Sequence, residues 1–471
     1  MRAFYEAHPQ GVAGAPRSRQ YFLEYLARVL RARIPAGQRV LDVGCGAGEL
    51  LAALQPSRGV GVDLSGTAIA AARQAHPDAA LTFRQGDGAD PALLKELGGP
   101  FDVVLMINVV TNLADVQGAF ESVATVCHQR TRVFVYSYSR LWQPALRAAE
   151  MAGLKARPPA EAWLPPEEVR NMLQLADYEV VRHDYQVVMP LYVPLLSDLV
   201  NRYLGHLPVV ELLSLMYGLV ARPAPHRFPA RPQPTVSVVI PCRNEAGHIE
   251  PLVQRLPELA PGSEFLFVEG GSKDDTEAVI RKAIAAHPER RMRLLKQTGH
   301  GKGDAVRLGF AEARGDVLAI LDSDMGVAPE DLDRFVDALA RGKGEFLNGS
   351  RLVYPMEGRA MRFLNLLANK MFALLFSWVL GQQVRDTLCG TKVLYRADYE
   401  QIAANRAYFG DFDPFGDFDL LFGAARLNLK IVDLPIRYHE RKYGETNISR
   451  FSHGVLLLAM SLFAARKLKF L

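Results

Sequence analysis

The sequence predicts an α/β protein of two domains, each a sheet with helices on its faces. Three observations carry that expectation. The chain has 471 residues, 49% apolar and 23% charged, the balance of a folded protein with room for more than one core. Strand-like apolar runs alternate with helix-periodic stretches, which argues for parallel sheets covered by helices. A strand, a loop and a helix also open twice, at RVLDVGCGAGELLAAL (39–54) and at VSVVIPCRNEAGHIEPLVQRL (236–256). Between them lies ARPAPHRFPARPQP (221–234), crowded with proline and expected to be stiff and extended. The expected division is residues 1–222, a linker at 223–234, and residues 235–471.

Composition excludes some functions. A formal charge of +4 is small for this length and shows no concentrated basic face, so nucleic acid is not an expected partner. Four cysteines (Cys45, Cys127, Cys242, Cys389) have no CxxC spacing, so a disulfide framework or zinc site is not expected and a reducing cytosol fits. The N-terminal stretch has no apolar core of the signal-peptide kind. The longest apolar runs, MFALLFSWVL (371–380) and VLLLAMSLFAA (455–465), fall short of the roughly 18 residues that span a bilayer.

In the first half, VLDVGCGAG (40–48) places Gly44, Gly46 and Gly48 at alternate positions after a β-type run that contains Asp42. Glycines there let the backbone turn tightly and approach a ligand at the start of a helix. Asp63 ends the next run, GVGVDLS, where a carboxylate can accept hydrogen bonds from ribose hydroxyls. Asp87 ends a third run, and FDVVLMINVVTNLAD (101–115) follows as a fourth strand. The spacing is Gly-x-Gly-x-Gly, not the Gly-x-Gly-x-x-Gly of dinucleotide sites. This half resembles class I S-adenosylmethionine-dependent methyltransferases over about residues 20–222, with their Rossmann-like sheet. The resemblance implies that Asp42, Gly44, Gly46 and Gly48 belong to the cofactor site, the glycines wrapping the methionine part. Asp63 would then hold the ribose and Asp87 face the adenine amine. Asn108, Asn112 and Asp115 lie where that family lines its active site. Pro165 and Pro166 are expected to start a helix after Trp163. The stretch 189–223 is expected to hold a helical insertion before the sheet's last strand, its apolar residues read as core rather than as cover for a lipid-like substrate.

In the second half, LAILDSDMGVAPEDL (318–332) ends an apolar run in two aspartates. Residues i and i+2 of a strand share a side, so Asp322 and Asp324 are expected to project together with Ser323 turned away. Two hard carboxylate oxygens suit Mg²⁺ or Mn²⁺ bound with a substrate's phosphates, for which Lys302, Arg307 and Arg351 supply positive charge. With the strand ends at Pro241 and Glu269, the set resembles glycosyltransferase family 2, with its GT-A fold, over about residues 235–450. The likeness is nearest the polyprenyl-phosphate branch that includes dolichyl-phosphate mannose synthase. It implies a UDP- or GDP-linked sugar donor, with Pro241, Asn244 and Glu245 lining the base and ribose pocket. Glu269 stands where the family usually has an aspartate that reads the base; Asp-Asp-Gly-Ser appears here as Glu-Gly-Gly-Ser (269–272). Asp322 and Asp324 hold the metal and donor diphosphate. Asp386 and Lys392 of DTLCGTK (386–392) lie near sugar and acceptor, Asp417 and Asp419 on the acceptor-side helix, and Arg441 in a late phosphate-facing loop. The implied reaction is inverting sugar transfer. A lipid-phosphate acceptor is already anionic; a glycan hydroxyl acceptor needs a base, with Asp386, Asp417 and Asp419 as candidates.

The stretches 359–382 and 455–471 join apolar residues to basic ones, Arg359, Arg362 and Lys370 in the first and Arg466, Lys467 and Lys469 in the second. Such helices can lie in a membrane interface, so cytoplasmic residence with peripheral contact at the inner face is expected.

Overall fold

The computed structural model describes residues 4, 6, 17–153, 156, 161–229, 232–354, 363–408, 417–439 and 450–471. It forms two compact units, Met1–Phe228 with Lys469–Leu471, and Pro229–Leu468.

The first unit is built on seven strands: β1 (Arg39–Val43), β2 (Arg58–Asp63), β3 (Leu81–Gln85), β4 (Phe101–Ile107), β5 (Cys127–Tyr138), β6 (Tyr178–Gln186) and β7 (Met216–Pro223). Their order is β3-β2-β1-β4-β5-β7-β6. Strands β1 to β5 pair in parallel, but β7 runs antiparallel to both β5 and β6, so the sheet is mixed rather than parallel throughout. Alternation puts Leu41, Val43, Val104 and Met106 into one core cluster. Val40, Leu105, Phe134 and Tyr136 face the other, against Tyr25, Val29 and Leu30 of the helix Arg17–Arg33. Pro166 starts a helix with Pro165 as its cap, as the sequence expects.

Two expectations change here. Strand β7 takes in Ala221–Pro223, the start of the proline-rich stretch and the first residue, Pro223, of the expected linker. The buried Arg222 guanidinium meets Glu179 at 2.6 Å, across the β6–β7 pairing, which anchors the strand that far. The insertion between β6 and β7 folds as a helix, Leu196–Arg202, and two 3₁₀ turns, Leu204–His206 and Val210–Leu213. Its apolar residues are not core: Leu195, Leu199 and Val209 are 89%, 52% and 78% exposed. The polar residues Ser197, Asn201 and His206 occupy its inner side instead.

The second unit has strands β8 (Val236–Cys242), β9 (Glu264–Glu269), β10 (Met292–Lys296), β11 (Val317–Ile320), β12 (Phe346–Ser350), β13 (Lys392–Tyr395) and β14 (Ile431–Pro435). Their order is β10-β9-β8-β11-β13-β12-β14. Strands β8 to β11 are parallel, β13 is antiparallel to β11 and β12, and β14 returns parallel to β12. The carboxyl ends of β8, β9 and β11 therefore open on one edge of the sheet, where ligands of such sheets bind. Beneath it Val238, Ile240, Phe267 and Ala319 form part of one buried cluster.

Candidate functional site

In the first unit a cavity lies at the ends of β1 and β4, where the strand order reverses. Gly44 (φ 75°) and Gly46 (φ 54°) hold the left-handed turn after β1, and a side chain at Gly44 would run into Val109. Gly46 N and Ser65 N each donate to Asp63 at 2.9 Å, one to each carboxylate oxygen. Each oxygen keeps a lone pair for a ligand hydroxyl. Gly44, Gly46, Asp63, Asp87 and Asn108 all line this cavity. The Asp87 carboxylate also accepts from Ala89 N, which fixes its turn. The buried Asn108 Oδ1 meets no hydrogen-bond partner among the described residues. An orphaned acceptor on the wall fits a ligand that donates a hydrogen bond.

Gly48 and Asp42 stand back from the wall. Gly48 (φ 80°) leaves room for the Phe83 ring, which a side chain there would approach to 2.6 Å. Asp42 is 2% exposed. Burial, with the charges of Asp63 and Glu49, pushes its carboxyl up to about 7.

In the second unit β11 ends at Ile320, and Asp322 and Asp324 lie in the turn that follows, with Met325 at φ 52°. Strand alternation thus does not extend to them; the turn places them. Ser323 does point away, its Oγ donating to Pro241 O at 3.0 Å and tying the turn to β8. Lys302 Nζ lies 2.6 Å from Asp322 Oδ1. Burial opposes ionisation of Asp322, but Lys302, then Lys392 and Arg351, outweigh it and hold the carboxyl below its ordinary value. Asp324 accepts from Gly326 N at 3.0 Å. A side chain at Gly390 would run into both Asp322 Oδ2 and Lys302 Nζ.

This donor set fits a hard divalent cation. It offers two neighbouring carboxylates at a place that already stabilises an ammonium. Among the described residues no group of three or more metal-ligating side chains forms a protein cage. Mg²⁺ and Mn²⁺ suit few protein oxygens plus substrate phosphates.

The donor-side loops are knitted to each other. Asn244 (φ 57°) accepts from Lys273 N at 2.8 Å, and its own N–H donates to Ser272 Oγ. Glu245 N donates to Thr276 Oγ1, while its carboxylate sits 2.6 Å from His248 Nδ1. Glu269 accepts from Ser272 N. Asn244, Glu245 and Glu269 therefore shape the loops at the ends of β8 and β9.

Several residues named from the sequence are placed differently from expectation. Arg351 does not offer its fork to a phosphate: Nε and Nη2 meet the two oxygens of Asp386 at 2.7 and 2.9 Å. Asp386 is fully buried, and Arg351 and Asn369 overcome the cost of its burial and hold it at about 2. A carboxylate so placed is a poor proton acceptor. Asp419, another base candidate, is bound by Arg406 at 2.8 Å. Lys392 is buried and donates to Cys389 O, which shapes the loop holding Gly390. Arg307 shares the helix Lys302–Glu312 with Lys302, but lies about 140° around it. Arg441 and the Asp417 side chain lie outside the described residues.

Tyr438 is a site residue that the sequence reading missed. Its ring lies 5.1 Å from the Arg351 guanidinium. Burial raises its phenol against the opposing charge of Arg351, with Asp324 and then Asp322 adding to the rise. It is over a hundred residues from Asp324, and the bridge between Val327 and Tyr438, with the bond from His439 N to Gly326 O, brings the two segments together.

Two family models match the chain, one in each unit. The methyltransferase domain model matches residues 17–183, and the glycosyl transferase family 2 model matches residues 237–402. A polyprenol monophosphomannose synthase of Mycolicibacterium smegmatis is 29% identical over 46% of this chain and 83% of its own length. An undecaprenyl-phosphate 4-deoxy-4-formamido-L-arabinose transferase of Sodalis glossinidius is 26% identical over 45% of this chain. That match spans 63% of its length, short of two thirds. A Haloferax volcanii methyltransferase, solved with its Trm112 activator, covers 44% of this chain and 94% of its own at 19% identity and a TM-score of 0.35. The chain thus joins an N-terminal methyltransferase domain to a C-terminal glycosyltransferase family 2 domain.

Proposed function

We propose that the chain is a bifunctional transferase. Its second unit moves a sugar from a UDP- or GDP-linked donor to a polyprenyl phosphate, with inversion at the anomeric carbon. Its first unit binds S-adenosylmethionine and transfers the methyl group to a separate acceptor. The observation that carries the sugar-transfer reading is the Asp322–Asp324 turn, held against Lys302 under Gly390 at the open edge of the sheet.

Asp322 and Asp324 would hold Mg²⁺ or Mn²⁺, which neutralises charge on the departing nucleotide diphosphate. Lys302 balances Asp322 before the donor arrives and is poised to meet phosphate once the cation takes its place. The loops around Asn244, Glu245 and Glu269 frame the nucleotide. Asp386 and Asp419 are both bound by arginine, so neither is a ready base. That favours an acceptor already anionic, as a lipid phosphate is. The relatives named above have acceptors or products of that class in their names.

In the first unit, Asp63 keeps lone pairs for ribose hydroxyls and Asn108 Oδ1 awaits a donor. Methyl transfer needs chiefly alignment of a nucleophile with the sulfonium methyl.

The setting we propose is the cytoplasmic membrane face. Among the described residues no helix is long and apolar enough to cross a membrane. The helices Phe363–Leu380 and Arg450–Leu468 leave Met371, Leu374 and Leu462 exposed, which supports contact with a lipid surface.

The deciding experiment is transfer from a panel of UDP- and GDP-sugars to a short polyprenyl phosphate, with Mn²⁺ or with EDTA. Metal-dependent label in the organic phase from one donor is expected. Metal-dependent donor hydrolysis without lipid product would overturn the acceptor and point to a hydroxyl, with Asp417 the remaining base candidate.

A further inference from the structure

The insertion between β6 and β7 has its polarity reversed. On the helix Leu196–Arg202 the buried residues are Ser197 and Asn201, and on the next turn Gly205 and His206. Outward stand Leu195, Leu199, Leu204, Val209, Leu212 and Leu213, between 46% and 89% exposed. This orientation is enforced rather than incidental. Asn201 donates to the Tyr21 hydroxyl and to Met189 O, and accepts from Met189 N. Ser197 donates to Leu191 O and accepts from Val193 N. Tyr25 OH donates to Asn201 O and lies 3.4 Å from His206. Rotating the element to bury its leucines would strand these polar groups. At its start Leu196 N bonds Pro194 O across Leu195 (φ 63°, ψ −41°), a γ-turn that lifts this leucine clear of the fold.

The charges around the apolar face have one sign left over. Asp198 lies 3.6 Å from Arg28, and Glu211 lies 3.0 Å from Lys469, so the insertion's two carboxylates are both paired. Arg202 remains at its edge, its guanidinium over Tyr203. Trp142 donates to Leu213 O, which brings the exposed Arg140 and Leu141 alongside. Amphipathic Tyr192, Tyr203 and Trp142 thus border a leucine surface rimmed by arginines. Aromatic and arginine side chains sit well at the level of lipid headgroups, and apolar ones below it.

We infer that this insertion is a membrane-docking element of the methyltransferase unit. Its leucines enter the acyl boundary of a bilayer, while Arg140 and Arg202 face anionic phospholipid headgroups. The inference is independent of the sugar acceptor and of the second unit's helices.

The test uses the full chain with a polarity-sensitive fluorophore on Leu195→Cys. All four native cysteines are buried, so labelling is selective. Vesicles of phosphatidylcholine with phosphatidylglycerol, free of polyprenyl phosphate, are expected to shift the emission to the blue. Pure phosphatidylcholine should shift it roughly tenfold less at equal lipid. Adding Leu199→Glu and Val209→Glu, both at exposed positions, should abolish the shift while circular dichroism stays unchanged. Co-sedimentation with vesicles without any shift at position 195 would overturn the inference and leave docking to the second unit. A shift that follows protein concentration in the absence of lipid would overturn it in favour of a second copy as the occupant. Neither result bears on sugar transfer, which is read separately.

Discussion

A side chain at Gly390 would strike Asp322 Oδ2 and Lys302 Nζ, the far ends of two flexible groups. Gly390→Ala should therefore fold but push the carboxylate off its position. At least a tenfold loss of sugar transfer is expected, with a nearly unchanged melting temperature. Wild-type turnover in this variant would show that the pair has no part in the reaction. Asn244 tests a different demand, since φ 57° costs an ordinary residue about 1 kcal/mol. Asn244→Gly keeps the backbone and loses only the bond to Lys273 N, whereas Asn244→Ala loses both. Nucleotide affinity by calorimetry should fall in the order Asn, Gly, Ala; equal affinities for the two variants would remove strain from the account. Asp42 makes a prediction in pH. Its carboxyl titrates near 7 in the folded unit and near 4 when unfolded, so the native state binds the extra proton between those values. Stability of the first unit should fall as pH rises from 4 to 7, by on the order of 4 kcal/mol from this group. Asp42→Asn should flatten that decline in denaturant titrations.

Among elements, the end of β12 and the turn that carries Asp386 are joined by a buried pair. Arg351 and Asp386 bond through two oxygens, with Asn369 completing the carboxylate. Removing one partner of such a pair costs about 3 kcal/mol because the other charge is left buried. Asp386→Asn should accordingly lower the second unit's unfolding midpoint in denaturant. Asp386 titrates at about 2, below its ordinary value, so its stabilisation is present above pH 4 and lost as pH falls toward 2. An unchanged midpoint would mean that this junction holds without the pair. The element that departs most from its sequence reading is the 189–215 insertion. Hydrophobic content alone said core; the hydrogen bonds of Asn201 and Ser197 decided which side faces in.

For the whole molecule, two compact units, each on its own sheet, predict two separable activities. Asp322→Asn or Asp324→Asn should abolish sugar transfer and leave S-adenosylmethionine affinity intact. Asp63→Ala should weaken that affinity at least tenfold and spare sugar transfer, because it removes both the carboxylate proposed to meet the ribose and the bonds from Gly46 N and Ser65 N. Calorimetry and the transfer assay on the same preparations check both arms. Loss of both activities in either single variant would mean that the units do not act independently.

The two-domain α/β class, the glycine turn at 44–48 and the Asp322–Asp324 pair were legible because each rests on residues close in sequence. Periodicity, glycine spacing and short motifs act over a few residues, and they pointed to Asp63, Lys302 and the Asp322–Asp324 pair, although the pair sits in a turn and not on strand alternation. The antiparallel β7 and β13, the capture of Arg351 by Asp386, the approach of Tyr438 to Asp324 and the outward leucines at 191–213 were not legible. Strand direction leaves no trace in alternation, and an arginine's partner depends on which strands the sheet brings together. Local physics determined which residues this chain offers at its two sites. Only the packing of distant strands decided which of them remain open to a ligand and which are already bound by a neighbour.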